Sequence, residues 1–251
     1  MNQKIDIRIL TVVIIAMLSM AVSVHSEDSK RIEIRTIDIR PYGIKTEPES
    51  KPSGIYYDFA NLLASEAGYQ INNYIAPYAR IILELQSGQT DLSILFKYKK
   101  LEDHVIYVAP LPSLETVVIG LKDTHFKSME DLKGRSLAYL RGAKFSDAID
   151  NDPAITSIET VDFNQGIKLL AVGRVDAIIG PIEPILNAAV KLGKDRNFFG
   201  KPFVVSERTP WVQISKKSAE RINVEELRTH FQTIKMRGDL NKIRQKYTKN
   251  Q

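Results

Sequence analysis

Ile32, Ile34, Ile37 and Ile39 alternate with charged and polar residues in two short phases, the period of a strand with one face on a core. Pro41-Tyr42-Gly43 stops this strand, and a polar loop with Pro48 and Pro52 runs to Gly54. Phe59, Leu62, Leu63 and Ala67 then fall at helical spacing and predict an amphipathic helix ended by Gly68, with a strand over 69–75 behind it. After Pro77, Ile81, Ile82 and Leu85 mark the inner face of a second helix, closed by Gly88, and an apolar run over 92–96 predicts the next strand. The order β-α-β-α-β is the unit of an open, mostly parallel sheet.

The pattern then changes. Strands are expected over 105–108 and 116–121 around Pro110 and Pro112, the second of them crossing into another lobe. Ser128 with Asp131 three residues on predicts a short capped helix ending at Gly134, followed by a strand over 136–139 and a helix starting within Arg141-Gly142-Ala143-Lys144-Phe145. A strand over 155–160 precedes a helix capped by Asp162 and Gln165 and stopped by Gly173. Another strand over 177–179 and a helix over 182–192 complete this unit. Strands over 203–206 and 212–215, flanking Pro210 and Trp211, are expected to form the return crossover. Helices over 220–237 and 240–247 follow, with Leu227, Phe231 and Ile234 on one face and many cations on the other.

One spacing occurs twice. Residues 85–94, LQSGQTDLSI, and 170–179, LAVGRVDAII, both follow L-x-x-G-x-x-D-x-x-I. Each glycine sits where a helix end needs positive φ, and Asp91 and Asp176 each open a short apolar run. The repeat predicts two α/β lobes built alike, with function in the cleft between them, at the carboxyl ends of the strands. The expected division is 27–113 for the first part of lobe one, 114–206 for lobe two, and 207–251 for the return crossover and the C-terminal helices of lobe one.

Lys4 and Arg8 precede an apolar run over 9–24 that ends in small residues before Glu27, the pattern of a cleavable secretory signal peptide over 1–26. The run is shorter than the ~20 apolar residues of a membrane span. The chain has no cysteine, which excludes a lipid-modified N-terminal cysteine, a disulfide framework and thiolate metal sites. Its formal charge is +5; losing Lys4, Asp6 and Arg8 with the leader takes away one net positive charge and leaves +4. Such a mild excess, spread along the chain, fits an affinity for anionic partners and not a nucleic-acid footprint.

Lys97-Tyr98-Lys99-Lys100 follows a strand end directly, a place where α/β sheets put ligand contacts. The strand-glycine-helix start at 139–145 is a second candidate. Free N–H groups and the positive end of the helix dipole would meet an anion there, reinforced by Arg141 and Lys144. The four histidines are far apart and show no metal-ligand spacing. No nucleophile elbow, catalytic cysteine or dinucleotide fingerprint is present, so no cofactor, metal or enzyme activity is expected. Glu102, Asp103 and Glu183 are the carboxylates to inspect for acid-base work.

The order of elements, with PYGI near the first strand, SGIYYDFANLLASEAGY, the two glycine joints and MEDLKGRSLAYLRGAKF, resembles the extracellular solute-binding proteins of family 3, receptors of polar amino acid ABC importers. The resemblance spans nearly all of the chain after the leader. It implies an α/β, type II periplasmic-binding-protein fold: two lobes, each an open mixed sheet flanked by helices, joined by two hinge crossovers and closing on a ligand. By position it implies ligand contacts at Tyr42, at Phe96, Lys97 and Tyr98, and at the turn from Arg141 through Gly142, Ala143 and Lys144 to Phe145.

Two positions depart from the family pattern. The arginine that clamps the α-carboxylate of an amino acid is replaced by Asp103, and the acid that meets the α-ammonium by Gly180. Loss of both ends points away from a typical α-amino acid, because Asp reverses the charge that a bidentate arginine supplies. Arg80, at the start of a helix after Pro77-Tyr78, is a candidate substitute.

The resulting expectation is a monomeric periplasmic receptor for a small polar or anionic solute, serving an ABC permease or a membrane sensor, with no nucleic-acid partner. Two alternatives share the fold. A cofactor-free enzyme of the cyclohexadienyl dehydratase type would need a cleft carboxylate with a raised pKa, and a signalling module without ligand would have an apolar or filled cleft.

Overall fold

The computed structural model describes residues 31–45 and 51–248. The expected leader and part of the polar loop after the first strand lie outside the described residues. Lobe one is built on β1 (Arg31–Ile37), α1 (Ile55–Glu66), β2 (Gln70–Ala76), α2 (Tyr78–Ser87), β3 (Leu92–Phe96) and β4 (Val105–Pro110). Lobe two holds β5 (Leu114–Ile119), β6 (Ser136–Leu140), a four-residue α3 (Asp147–Asp150), β7 (Thr156–Thr160), α4 (Phe163–Ala171), β8 (Ala177–Pro181), α5 (Ile182–Lys191) and β9 (Phe203–Arg208). The chain then returns to lobe one with β10 (Pro210–Ser215), α6 (Val224–Met236) and α7 (Asp239–Thr248).

Each lobe has one five-stranded mixed sheet, ordered β2-β1-β3-β10-β4 in lobe one and β7-β6-β8-β5-β9 in lobe two. In lobe one β1 runs parallel to β2 and β3, and β10 runs antiparallel to β3 and β4. The same plan recurs in lobe two, where β6 is parallel to β7 and β8 and β5 is antiparallel to β8 and β9. The antiparallel fourth strand of each sheet is the one that has just crossed from the other lobe. The two crossings also touch each other, through Leu111 N–H to the Pro210 carbonyl at 2.8 Å and a 2.7 Å hydroxyl pair between Ser113 and Thr209. Strand β9 stays in the lobe-two sheet as far as Arg208, so the return lies two residues beyond the expected boundary at 206.

Leu227, Phe231 and Ile234 of α6 are buried against α1 and the lobe-one sheet, with Phe59 and Phe231 meeting edge to face at 5.7 Å. Burying one such side chain stabilises by roughly 1.5–3 kcal/mol, so the C-terminal return completes the core of lobe one. Helix α6 starts at Val224, later than its periodicity predicts, because the Asn223 side chain accepts a hydrogen bond from Glu226 N–H and caps it there. Asp162 caps α4 by accepting from Gln165 N–H at 2.7 Å, and the Gln165 side chain returns the bond to Val161 N–H at 2.9 Å.

The repeated joints fold the same way twice. Gly88 and Gly173 take φ of 80° and 69°. Asp91 N–H donates to the Glu33 carbonyl while its carboxylate accepts from Glu33 N–H, at 2.8 and 2.7 Å. Asp176 makes the same reciprocal pair with Ser136, at 2.8 Å for each bond. Each aspartate thus bonds its strand to the neighbouring parallel strand before the ladder begins. The far ends of these two strands, at Phe96 and Pro181, face the space between the lobes.

Candidate ligand-binding site

Two seams hold the lobes together at the cleft. At one, Glu183 in the first turn of α5 accepts from the Tyr42 hydroxyl at 3.0 Å and pairs with the guanidinium of Arg244 on α7. Tyr42 stacks on Tyr56 with ring centres 4.4 Å apart. Burial, reinforced by Tyr56 and the Glu183 carboxylate, pushes the Tyr42 hydroxyl well above its usual range, so it stays a donor. At the other, Arg208 donates to the Lys97 carbonyl of lobe one at 2.8 Å and to the Lys144 carbonyl of lobe two, its guanidinium 4.7 Å above the Phe96 ring. Burial lowers the pKa of this arginine, whose acceptors here are neutral carbonyls.

Between the seams lie two adjoining cavities. The inner one, of about 50 Å³, is walled by aromatic and aliphatic groups that include Tyr42, Tyr56, Phe96, Phe145 and Phe163. The outer one, of about 530 Å³, is lined by Arg40 and Lys45 of lobe one and by Arg141 and Lys191 of lobe two, with Asp38 and Asp162. Ile39, Tyr78, Leu140, Phe163 and Pro184 line both, forming a collar between them.

The sequence-predicted residues divide into those on these walls and those elsewhere. Tyr42, Phe96, Ala143, Lys144 and Phe145 line the inner cavity and Arg141 the outer one. Gly142 makes the intervening turn at φ 74°. Gly180 lies one residue before Pro181 on the inner wall, and a Cβ at Gly180 would come within 2.6 Å of the Phe163 ring. An aromatic ring therefore covers the position where the family pattern has an acid.

Arg80 lines neither cavity. Its side chain is 69% exposed and pairs with the buried Glu84 on its own helix at 2.5 Å, where Arg35 also binds at 2.8 Å. Lys97 is likewise turned away, its ammonium 4.6 and 4.2 Å from the ring centres of Tyr107 and Trp211. Tyr98 packs on lobe one beside Tyr78, with ring centres 6.5 Å apart, and lines neither cavity.

The expected helix start at 144–145 is also corrected. Helix α3 begins at Asp147, and the N–H groups of Phe145 and Ser146 donate to the Asp150 carboxylate at 3.0 and 3.1 Å. Asp150 closes this short helix onto its own beginning and so occupies donors that were expected to meet an anion. Among the inspected carboxylates, Glu102 and Asp103 are exposed and line neither cavity, and Glu183 is engaged by Tyr42 and Arg244.

Pattern reading missed Arg208 at the second seam and Phe163, Arg40 and Lys191 on the cavity walls. A glycine at the end of the apolar run AIIG was the available signal for Phe163, since a strand glycine marks close approach by another group.

The sequence profile of the bacterial extracellular solute-binding proteins, family 3, matches residues 35–250. The chain belongs to this family. It is 23% identical over 214 residues to the probable amino-acid-binding protein YxeM of Bacillus subtilis (strain 168), covering 82% of this chain and 80% of that one. Its fold is similar to an ABC uptake transporter substrate-binding protein from Streptococcus pneumoniae with bound histidine, with a TM-score of 0.74, 18% identity and coverage of 88% and 94%. It is also similar to the GluR0 ligand-binding core of Nostoc punctiforme in complex with L-glutamate, with a TM-score of 0.72, 16% identity and coverage of 86% and 99%. The family is one of solute-binding proteins, and the two mixed sheets flanked by helices are the two-lobed fold shared with these structures. No helix among the described residues is long and apolar enough to cross a membrane.

Proposed function

We propose that this family-3 protein is an exported periplasmic receptor, freed of its leader, that captures a small anionic solute other than a typical α-amino acid. The observation that carries this reading is the Phe163 ring over Gly180. An α-ammonium directed there would meet an aromatic ring in an apolar wall with no carboxylate to receive it. The other end of the amino acid clamp is missing as well, because Asp103 is exposed and away from both cavities. Attraction for an anion comes instead from Arg40, Arg141 and Lys191 on the outer wall. Only the closed arrangement lets cations of both lobes reach one ligand, so binding shifts the open-closed equilibrium toward closure. A monomer of this kind would deliver its ligand to an ABC permease or present the closed form to a membrane sensor.

Thermal unfolding of residues 27–251 tests the reading, against organic acids, phosphorylated metabolites, polyamines, sugars and amino acids. Histidine and L-glutamate belong in the panel because structural neighbours bind them. A ligand at about 100 times its dissociation constant stabilises by ~2.7 kcal/mol, a rise of roughly 5–10 °C in midpoint for a chain of this size. The rise is expected with anions that lack an α-ammonium. A comparable rise with α-amino acids would overturn the proposal.

A further inference from the structure

The two cavities differ in chemistry, and a ligand spanning both must differ between its ends. Lys144 is the one charged residue on the inner wall, and it is exposed, beside the seam made by Arg208. The Tyr42 hydroxyl on that wall is committed to Glu183. A charged group pushed inside would give up its water for aromatic faces, which is unfavourable, whereas a short hydrocarbon would gain. On the outer wall Asp38 is neutralised by Lys45 at 2.9 Å and Asp162 serves as the cap of α4. Arg141 faces Glu159 loosely, at 3.5 Å with both side chains more than half exposed. Arg40 and Lys191 have no carboxylate partner among the described residues, so one cation from each lobe remains to meet an anionic group.

We infer that the ligand is an amphipathic organic monoanion, with a tail of a few carbon atoms in the inner cavity and a carboxylate or similar head between Arg40 and Lys191. This deepens the anionic-solute reading above and rests on it. The collar of Ile39, Tyr78, Leu140, Phe163 and Pro184 separates the two ends of the ligand. Specificity then lies in tail length. The head draws the lobes together because its two cations come from different lobes.

The experiment is calorimetric titration of residues 27–251 with acetate, butyrate, hexanoate and octanoate, alongside succinate, L-glutamate and hexanol. Affinity is expected to rise about fourfold per added methylene, the value of one buried CH₂, and then to level off when the inner cavity is full. Hexanol should bind at least tenfold more weakly than hexanoate. Arg40→Gln with Lys191→Gln, both at exposed positions, should weaken hexanoate about tenfold and leave hexanol unchanged. Ala143→Leu, on the inner wall, should shift the preferred acid to a shorter chain.

Affinity independent of chain length, or absence of monocarboxylate binding, would overturn the inference. Tight binding of succinate alone would do so while leaving the anionic receptor intact. Tight binding of L-glutamate would remove both.

Discussion

At the joint before β3, Asp91 is 1% exposed and holds, besides Glu33 N–H, the Ser218 hydroxyl at 2.6 Å and the Arg221 guanidinium at 2.6 Å. Its counterpart before β8, Asp176, has a side chain 36% exposed and adds to Ser136 N–H only the Ser136 hydroxyl and a 3.4 Å contact with Arg135. The reciprocal bond pair is the same in both, and the surroundings differ for a topological reason. Lobe two is continuous in sequence from β5 to β9, so its joint needs no outside help. Lobe one is interrupted by the whole of lobe two, and Ser218 and Arg221 belong to the segment that returns. One motif thus serves as a local strand clip in lobe two and, in lobe one, also anchors the far end of the chain.

Replacing Asp91 should therefore cost much more than replacing Asp176. Asp91→Ala removes the anion from Arg221 and leaves Ser218 and Glu33 N–H without their acceptor, a loss of about 3–5 kcal/mol in urea unfolding. The equivalent change at Asp176 should cost about 1 kcal/mol, because solvent replaces part of what is lost. Both joints lie at the strand ends away from the cleft, so ligand affinity per folded molecule should not change in either variant. Equal destabilisation by the two changes would show that the return segment is not held through Asp91.

Acid should expose the second clip more gently. Burial by itself would raise the pKa of Asp176, but the donors of Ser136 and the Arg135 guanidinium outweigh it and hold the carboxyl below its ordinary value. A carboxylate depressed by folding contributes stability above its unfolded value, about 3.9, and loses that contribution as pH falls through the lower folded value. The stability gap between the parent chain and Asp176→Asn should therefore be full at neutral pH and narrow below about pH 4. A gap independent of pH would mean that the carboxylate charge adds nothing to the two Ser136 bonds.

The joints were legible in the sequence because everything that makes them is local: a helical period, a glycine stop, an aspartate and an apolar run. The lobes and their sheets followed from the same signals read twice. The cleft was not legible to the same degree, because its bonds join residues far apart in the chain. Tyr42 and Glu183 are 141 positions apart, and Arg208 and Lys97 are 111 apart. The turn through Arg141 could be placed on the walls by its position at a strand end, and Tyr42 and Phe96 by the resemblance to the family. Position could not say where a long side chain would go, and Arg80 and Lys97 turned to Glu84 and to a pair of rings instead. Nor could it say that Asp150 would occupy the donors at the start of α3.

The smallest expected difference lies between the two glycines. A Cβ at Gly173 meets nothing within 4 Å, so Gly173→Ala should cost only the left-handed backbone, roughly 1 kcal/mol. At Gly88 the same atom would come within 2.9 Å of the Lys217 side chain, which belongs to the returning segment. Gly88→Ala should therefore cost the same backbone term plus the displacement of that segment. A double-mutant cycle with Lys217→Gly separates the two contributions, since removing the facing side chain should bring the cost of Gly88→Ala down to that of Gly173→Ala. If the excess survives in the double mutant, it comes from the backbone of the first joint and not from the segment packed against it.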